Sequence, residues 1–169
     1  GGGKNFTMRD SFSDADVMIG AGDGQMAGGL VGAAENFTTI TTITNCHATG
    51  KVTSMSSNSL SRIGGLAGSI LKIAISNSYT TGDVTSTGDN VGGLCGEAWA
   101  GSVSNSFSTG NVTGGSSVGG LVGDGGNIDN CWASGNVTAT KAITGGTTTA
   151  GVGGLVGTGG GYITRSFAT

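Results

Sequence analysis

The sequence contains no proline, and although 37 of its 169 residues are glycine, these follow no strict three-residue period. Collagen is thereby excluded, since a triple helix requires that period. Charge is scarce: 10% of residues are Asp, Glu, Lys or Arg and the formal net charge is −3, which leaves no basic footprint for nucleic acid or an anionic membrane surface. No apolar run approaches the roughly 20 residues of a membrane-spanning helix, so no membrane insertion is expected. Cysteines number three, Cys46, Cys95 and Cys131, an odd count without metal-ligand spacing. They are expected to be small buried side chains rather than a disulfide and a spare thiol. Aromatics are only 5%, and there is a single histidine, His47.

What is present is hydrophobic residues, 36% of the chain, in a fixed order that a flexible Gly/Ser/Thr linker has no reason to keep. The string Gly-Gly-Leu-x-Gly starts at Gly28, Gly64, Gly92, Gly119 and Gly153, at intervals of 36, 28, 27 and 34 residues. Between its copies stand "NCHATGKVT" from Asn45, "NSYTTGDVT" from Asn77, "NSFSTGNVT" from Asn105 and "NCWASGNVT" from Asn130, with degenerate copies from Asp10 and Arg165. Alignment gives a leucine row, Leu30, Leu66, Leu94, Leu121 and Leu155, and a valine row, Val17, Val52, Val84, Val112 and Val137. A third apolar row is Ile43, Ile75, Val103, Ile128 and Ile163. An aromatic column holds Phe12, His47, Tyr79, Phe107, Trp132 and Phe167.

The apolar segments are short, β-branched and punctuated by Gly, Asn or Ser, so they predict strands, and no helical period persists. Three short strands in a repeat of this length predict an all-β fold, a β-solenoid (β-helix) of about five stacked coils, with residues 1–169 forming one repeat domain. One coil cannot bury its own apolar side; it must stack on its neighbours about 4.8 Å away, placing Leu on Leu and Val on Val. Asn45, Asn77, Asn105 and Asn130 would then form an amide ladder. Glycine is expected to serve both corners of positive φ and close backbone approaches.

The alternation of Gly-Gly-Leu-Val-Gly with Asn-Ser-aromatic-x-x-Gly-x-Val resembles the GLUG repeat of bacterial surface and secreted proteins, including regions of IgA-specific metallopeptidases. The resemblance covers nearly the whole chain. It implies an extracellular or cell-surface location within a larger protein. In peptidases bearing such repeats, catalysis belongs to a separate zinc domain with an H-E-x-x-H helix. With His47 the sole histidine, that activity does not carry over and the module is expected to be non-enzymatic.

Candidate sites are few. His47 is expected to stack on Tyr79. Glu97 and Asp124 directly follow successive Gly-Gly-Leu-x-Gly blocks and would lie side by side, as candidate Ca²⁺ ligands or as a carboxylate pair acting on glycosides; the plainer alternative is two solvated charges at a turn. No other cofactor is implied. "GDGGNID" from Gly123 resembles a calcium-binding nonapeptide but occurs once and out of phase, and "GAGDG" from Gly20 lacks the context of a phosphate loop. Sequons begin at Asn5, Asn36, Asn111 and Asn136, making these candidate glycosylation sites. Thr does not recur in the long T-x-T arrays of an ice-binding face.

Three functions therefore stand: a structural or adhesive stalk, spacer or adhesin module; a filament subunit stacking head to tail through open β-edges; and a polysaccharide-acting β-helix. The chain begins "GGGKNF" without Met and halts in a degenerate copy, so a processed product or an excised piece is expected. Expected partners are a second copy along the axis, flanking domains, or host or environmental glycans and proteins.

Overall fold

A computed structural model describes residues 7–35, 41–141, 150–159 and 161–169. Among these the chain is all-β and coils into a parallel β-solenoid of about five turns. Each turn visits the same sides in the same order. The Leu-x-Gly part of each glycine block opens strands such as Ala67–Leu71 and Cys95–Ser104; the isoleucine row follows on the same sheet, in strands such as Thr41–Thr44 and Ile73–Ser76. The aromatic column makes a second sheet, the Gly-x-Val segments a third, and short segments such as Val91–Gly92 a fourth that leads into the next turn. Neighbouring strands are parallel, as a coil that always winds the same way requires.

Register is set by the repeat. Val84 sits between Val52 and Val112, and Val112 pairs onward with Val137. In the leucine row the Leu66 amide bonds to the Leu94 carbonyl at 2.9 Å, and Leu94 to Leu121 at 2.8 Å. Leu66, Leu94, Leu121, Val52, Val84 and Val112 are fully buried or nearly so. Leu30, Leu155, Val17 and Val137, in the outer turns, are only half-buried and pack against the two core clusters from the ends. A row shielded on both sides in the middle and on one side at its ends is what nearest-neighbour stacking produces.

The glycines and asparagines divide two tasks that the sequence left to glycine alone. In the Gly-Gly pairs φ lies outside the left-handed region, and what they supply is room: a Cβ on Gly93 would stand under 3.0 Å from both the Gly120 carbonyl oxygen of the next turn and the Ser108 Oγ. The left-handed corners fall to the asparagine column, with φ of 56° at Asn45, 50° at Asn77, 48° at Asn105 and 50° at Asn130. Asparagine tolerates this conformation better than other side chains bearing a Cβ. The degenerate repeats obey the same demand, since Asp10 and Arg165 both have φ 50°.

This assigns the asparagine column a conformational role that can be separated from any ladder. Amide hydrogen bonds join Asn130 Nδ2 to Asn105 Oδ1 at 2.7 Å and Asn45 Nδ2 to Asp10 Oδ1 at 2.5 Å; Asn45 to Asn77 and Asn77 to Asn105 show no such side-chain bond. Asn105→Gly is expected to leave stability within about 0.5 kcal/mol of the parent, whereas Asn105→Val, forced into left-handed geometry, should cost roughly 1–2 kcal/mol. Chemical denaturation of both variants checks this. Equal losses would return the weight to the amide bonds.

Candidate functional site

Beside each asparagine the Ser/Cys slot turns inward. The Cys46 amide donates to Ser78 Oγ at 3.1 Å, the Ser78 amide to Ser106 Oγ at 3.1 Å, and the Cys131 amide to Ser166 Oγ at 3.0 Å. Each hydroxyl in turn donates to the carbonyl two residues back, as from Ser78 to Ser76 at 2.8 Å. The corner's buried polar groups are thus satisfied from turn to turn. Cys46 and Cys131 fill the slot with a thiol that also reaches that carbonyl. All three cysteines are buried and unpaired, and burial pushes the Cys95 thiol up to about 12. These are structural thiols.

Outward from the same corner runs a stack of six rings. Ring centroids are 5.2 Å apart from Phe12 to His47, 4.8 Å from His47 to Tyr79, 4.9 Å from Tyr79 to Phe107, 4.6 Å from Phe107 to Trp132 and 6.4 Å from Trp132 to Phe167. His47 stacks almost parallel to Tyr79, their planes 1° from parallel. Parallel strand spacing alone brings rings of one column to stacking distance.

Glu97 and Asp124 occupy one outward-facing column, Ala33, Ser69, Glu97, Asp124 and Thr158, in direct register. Glu97 is buried; its Oε2 accepts from the Arg62 guanidinium and from Ser69 Oγ. A Ca²⁺ ion takes six to eight oxygens. Here one carboxylate is already neutralised by a guanidinium, and no group of three or more His, Cys, Asp or Glu comes together among the described residues. The sequence carried no sign of Arg62, which belongs to a different sheet and reaches this column because its backbone lies against Gly68 and Gly96, where a Cβ would stand under 3.0 Å from it.

Asp124 is half-buried, and desolvation, followed by the Glu97 charge, raises its pKa above the ordinary 3.8; Arg62 and the Gly125 amide oppose the rise. A carboxyl whose folded pKa stands above its unfolded value holds its proton more tightly when folded, so stability falls as pH rises through the folded pKa. Asp124→Asn, which mimics the protonated form, should therefore raise the Tm at pH 7 and leave it unchanged at about pH 3, where both states are protonated. A Tm lowered at pH 7 would mean that the Arg62 attraction outweighs desolvation.

The same face carries Trp99, which is 66% exposed and lies in register with Leu71, itself in register with Glu35. On one side of it is an open cavity of about 240 Å³ lined by Glu97, Asp124 and Gly126 among others; on the other is one of about 270 Å³ that includes Glu35, Arg62 and Leu71. The only sequence signal for this residue is that it is an aromatic outside the repeat's aromatic column. The remaining candidates are peripheral. Asn111 and Asn136 stand at exposed turns, where the Asn136 amide donates to Asn111 Oδ1 at 3.0 Å. Asn5 and Asn36 lie outside the described residues.

With the geometry in place, comparison with known proteins gives two matches. The family model "The GLUG motif" matches residues 23–53 and 87–113. Halomucin from Haloquadratum walsbyi is 39% identical over 93 residues, covering 52% of this chain and 1% of that protein, so the chain spans only a small part of its relative's length. No solved structure matches the chain.

Proposed function

The chain is a GLUG-repeat protein, and from that premise we propose that it is a non-catalytic, extracellular or cell-surface repeat module acting as a stalk or spacer that holds flanking parts of a larger protein apart. The observation that carries this reading is the continuity from turn to turn: every sheet continues across the turns through parallel pairing, with apolar residues stacked row on row in the core. Stacked turns add up to an element that cannot bend at one joint without breaking bonds in several sheets. The relative's name, halomucin, supports a surface location. An adhesive role is the finer form of the same reading, with glycans or proteins as partners.

Pulling the chain between two marker domains tests it. A stiff spacer should resist and then open in force peaks whose summed extension approaches about 3.5 Å per residue; extension without a peak would sink the proposal. Antibody to the chain should label intact source cells or their medium, and a signal confined to the cytoplasm would refute the location.

A second reading is favoured by the poles. Phe12 and Met18 at one end and Ile163 and Phe167 at the other are exposed on strands that, among the described residues, have one free edge, which a second copy could pair with head to tail. Light scattering over a wide concentration range should then show growth into linear assemblies; a monomer at every concentration excludes it.

A further inference from the structure

Trp99 owes its exposure to a fault in the repeat. Between Ala98 and Ser102 the chain places three residues, Trp99, Ala100 and Gly101, but the next turn crosses the same interval, from Gly125 to Asn127, with Gly126 alone. The shortened crossing is accommodated by left-handed backbone at Gly125 (φ 80°) and Gly126 (φ 88°), and Trp99's own crossing bends at Ala100 (φ 50°). Among the described residues Trp99 therefore has no register partner in the next turn. In an unbroken repeat a residue in register would flank it on that side, as Leu71 is in register with it on the opposite side.

From this geometry we propose that Trp99 is the stacking platform of a carbohydrate-binding site, with the two cavities beside it receiving successive sugar units of one glycan chain. The chemistry on the two sides matches a sugar's two kinds of surface. A pyranose presents an apolar C–H face to an aromatic plane and a rim of hydroxyls to polar groups. Asp124 offers acceptors on one side, while Glu35 offers acceptors and Arg62 donors on the other. Arg62 and Glu97 neutralise each other, so the site is not a concentrated negative field. One ring, rather than a cage of rings, walls it, which disfavours a quaternary ammonium or lysine side chain. Both cavities are open, as an extended polymer crossing the face requires. The proposal rests on the adhesive form of the reading above and is independent of the spacer role, which the pulling experiment tests separately.

The test uses the whole chain with Trp132→Phe, which keeps a ring in the aromatic stack and leaves Trp99 as the only tryptophan. Cellohexaose, mannohexaose and N-acetylchitohexaose are titrated separately, with hexalysine as the cationic probe. At least one hexasaccharide should shift Trp99 emission saturably. Calorimetry on the parent and on Trp99→Ala should show the affinity falling at least about tenfold, the scale of one good aromatic contact. Trp99→Phe should recover part of it, and unchanged circular dichroism establishes that both variants fold. No emission change with any of the three sugars, undiminished binding in Trp99→Ala, or a response to hexalysine alone would each overturn the proposal.

Discussion

Gly93→Ala, the addition of one methyl group, is expected to destabilise the chain by about 3 kcal/mol or more, at or beyond the upper end of overpacking penalties. The new Cβ would stand under 3.0 Å from the Gly120 carbonyl oxygen, and that oxygen belongs to a backbone held in the stack. Its neighbours cannot yield independently, because the Gly93 amide bonds to the Gly119 carbonyl at 3.2 Å and the Gly65 amide bonds to the Gly93 carbonyl at 3.0 Å. Moving one turn away from the next would stretch hydrogen bonds in every sheet. Gly20→Ala is the matched control: nothing lies within 4 Å of a Cβ there, and the variant should melt within a degree or two of the parent. If Gly93→Ala were as stable as Gly20→Ala, the close approach of successive turns would be wrong.

The second large effect comes from the opposite change. Leu94 is fully buried in the middle of the leucine row, and Leu94→Ala should cost about 3–5 kcal/mol, because turns fixed on either side cannot collapse into the cavity. Leu155, half-buried in an outer turn, should cost roughly 1–2 kcal/mol when cut to Ala, since less surface is returned to water and the outer turn can relax. Denaturant unfolding of the two variants yields the comparison directly. Equal costs would contradict a row whose burial declines towards its ends.

Much of this was legible before any coordinates, for one physical reason. Parallel stacking brings residue i of one turn against its equivalent in the next, so a column in the alignment is also a column in space; Leu66, Leu94 and Leu121 could be read as a core row on that ground alone. The division of labour between glycine and asparagine was harder to see. Both residues serve turns, and only backbone angles separate the Asn45 type of corner from the Gly93 type of close approach. The serine and cysteine slot was visible as a pattern, but its meaning, a hydroxyl accepting from the previous turn, depends on which way the side chain points. Arg62 and Trp99 were the least legible. Arg62 acts across sheets, and Trp99 acquires its surroundings because the next turn crosses the same interval with two residues fewer. A repeat alignment treats such a difference as loop variation, yet it is what exposes the indole.

The account rests on turns stacked in parallel and in register, and oxidative cross-linking of the outward threonine column measures that register most directly. Thr85 and Thr113 are register partners, and Thr53 lies one turn beyond Thr85. Adjacent turns stand about 4.8 Å apart, inside the Cα range of a disulfide, whereas alternate turns stand about 9.6 Å apart and outside it. In a background with the native cysteines replaced by serine or alanine, Thr85→Cys/Thr113→Cys should form an intramolecular disulfide on mild oxidation, and Thr53→Cys/Thr113→Cys should remain two free thiols. Cross-linking of the second pair in preference to the first would contradict the solenoid.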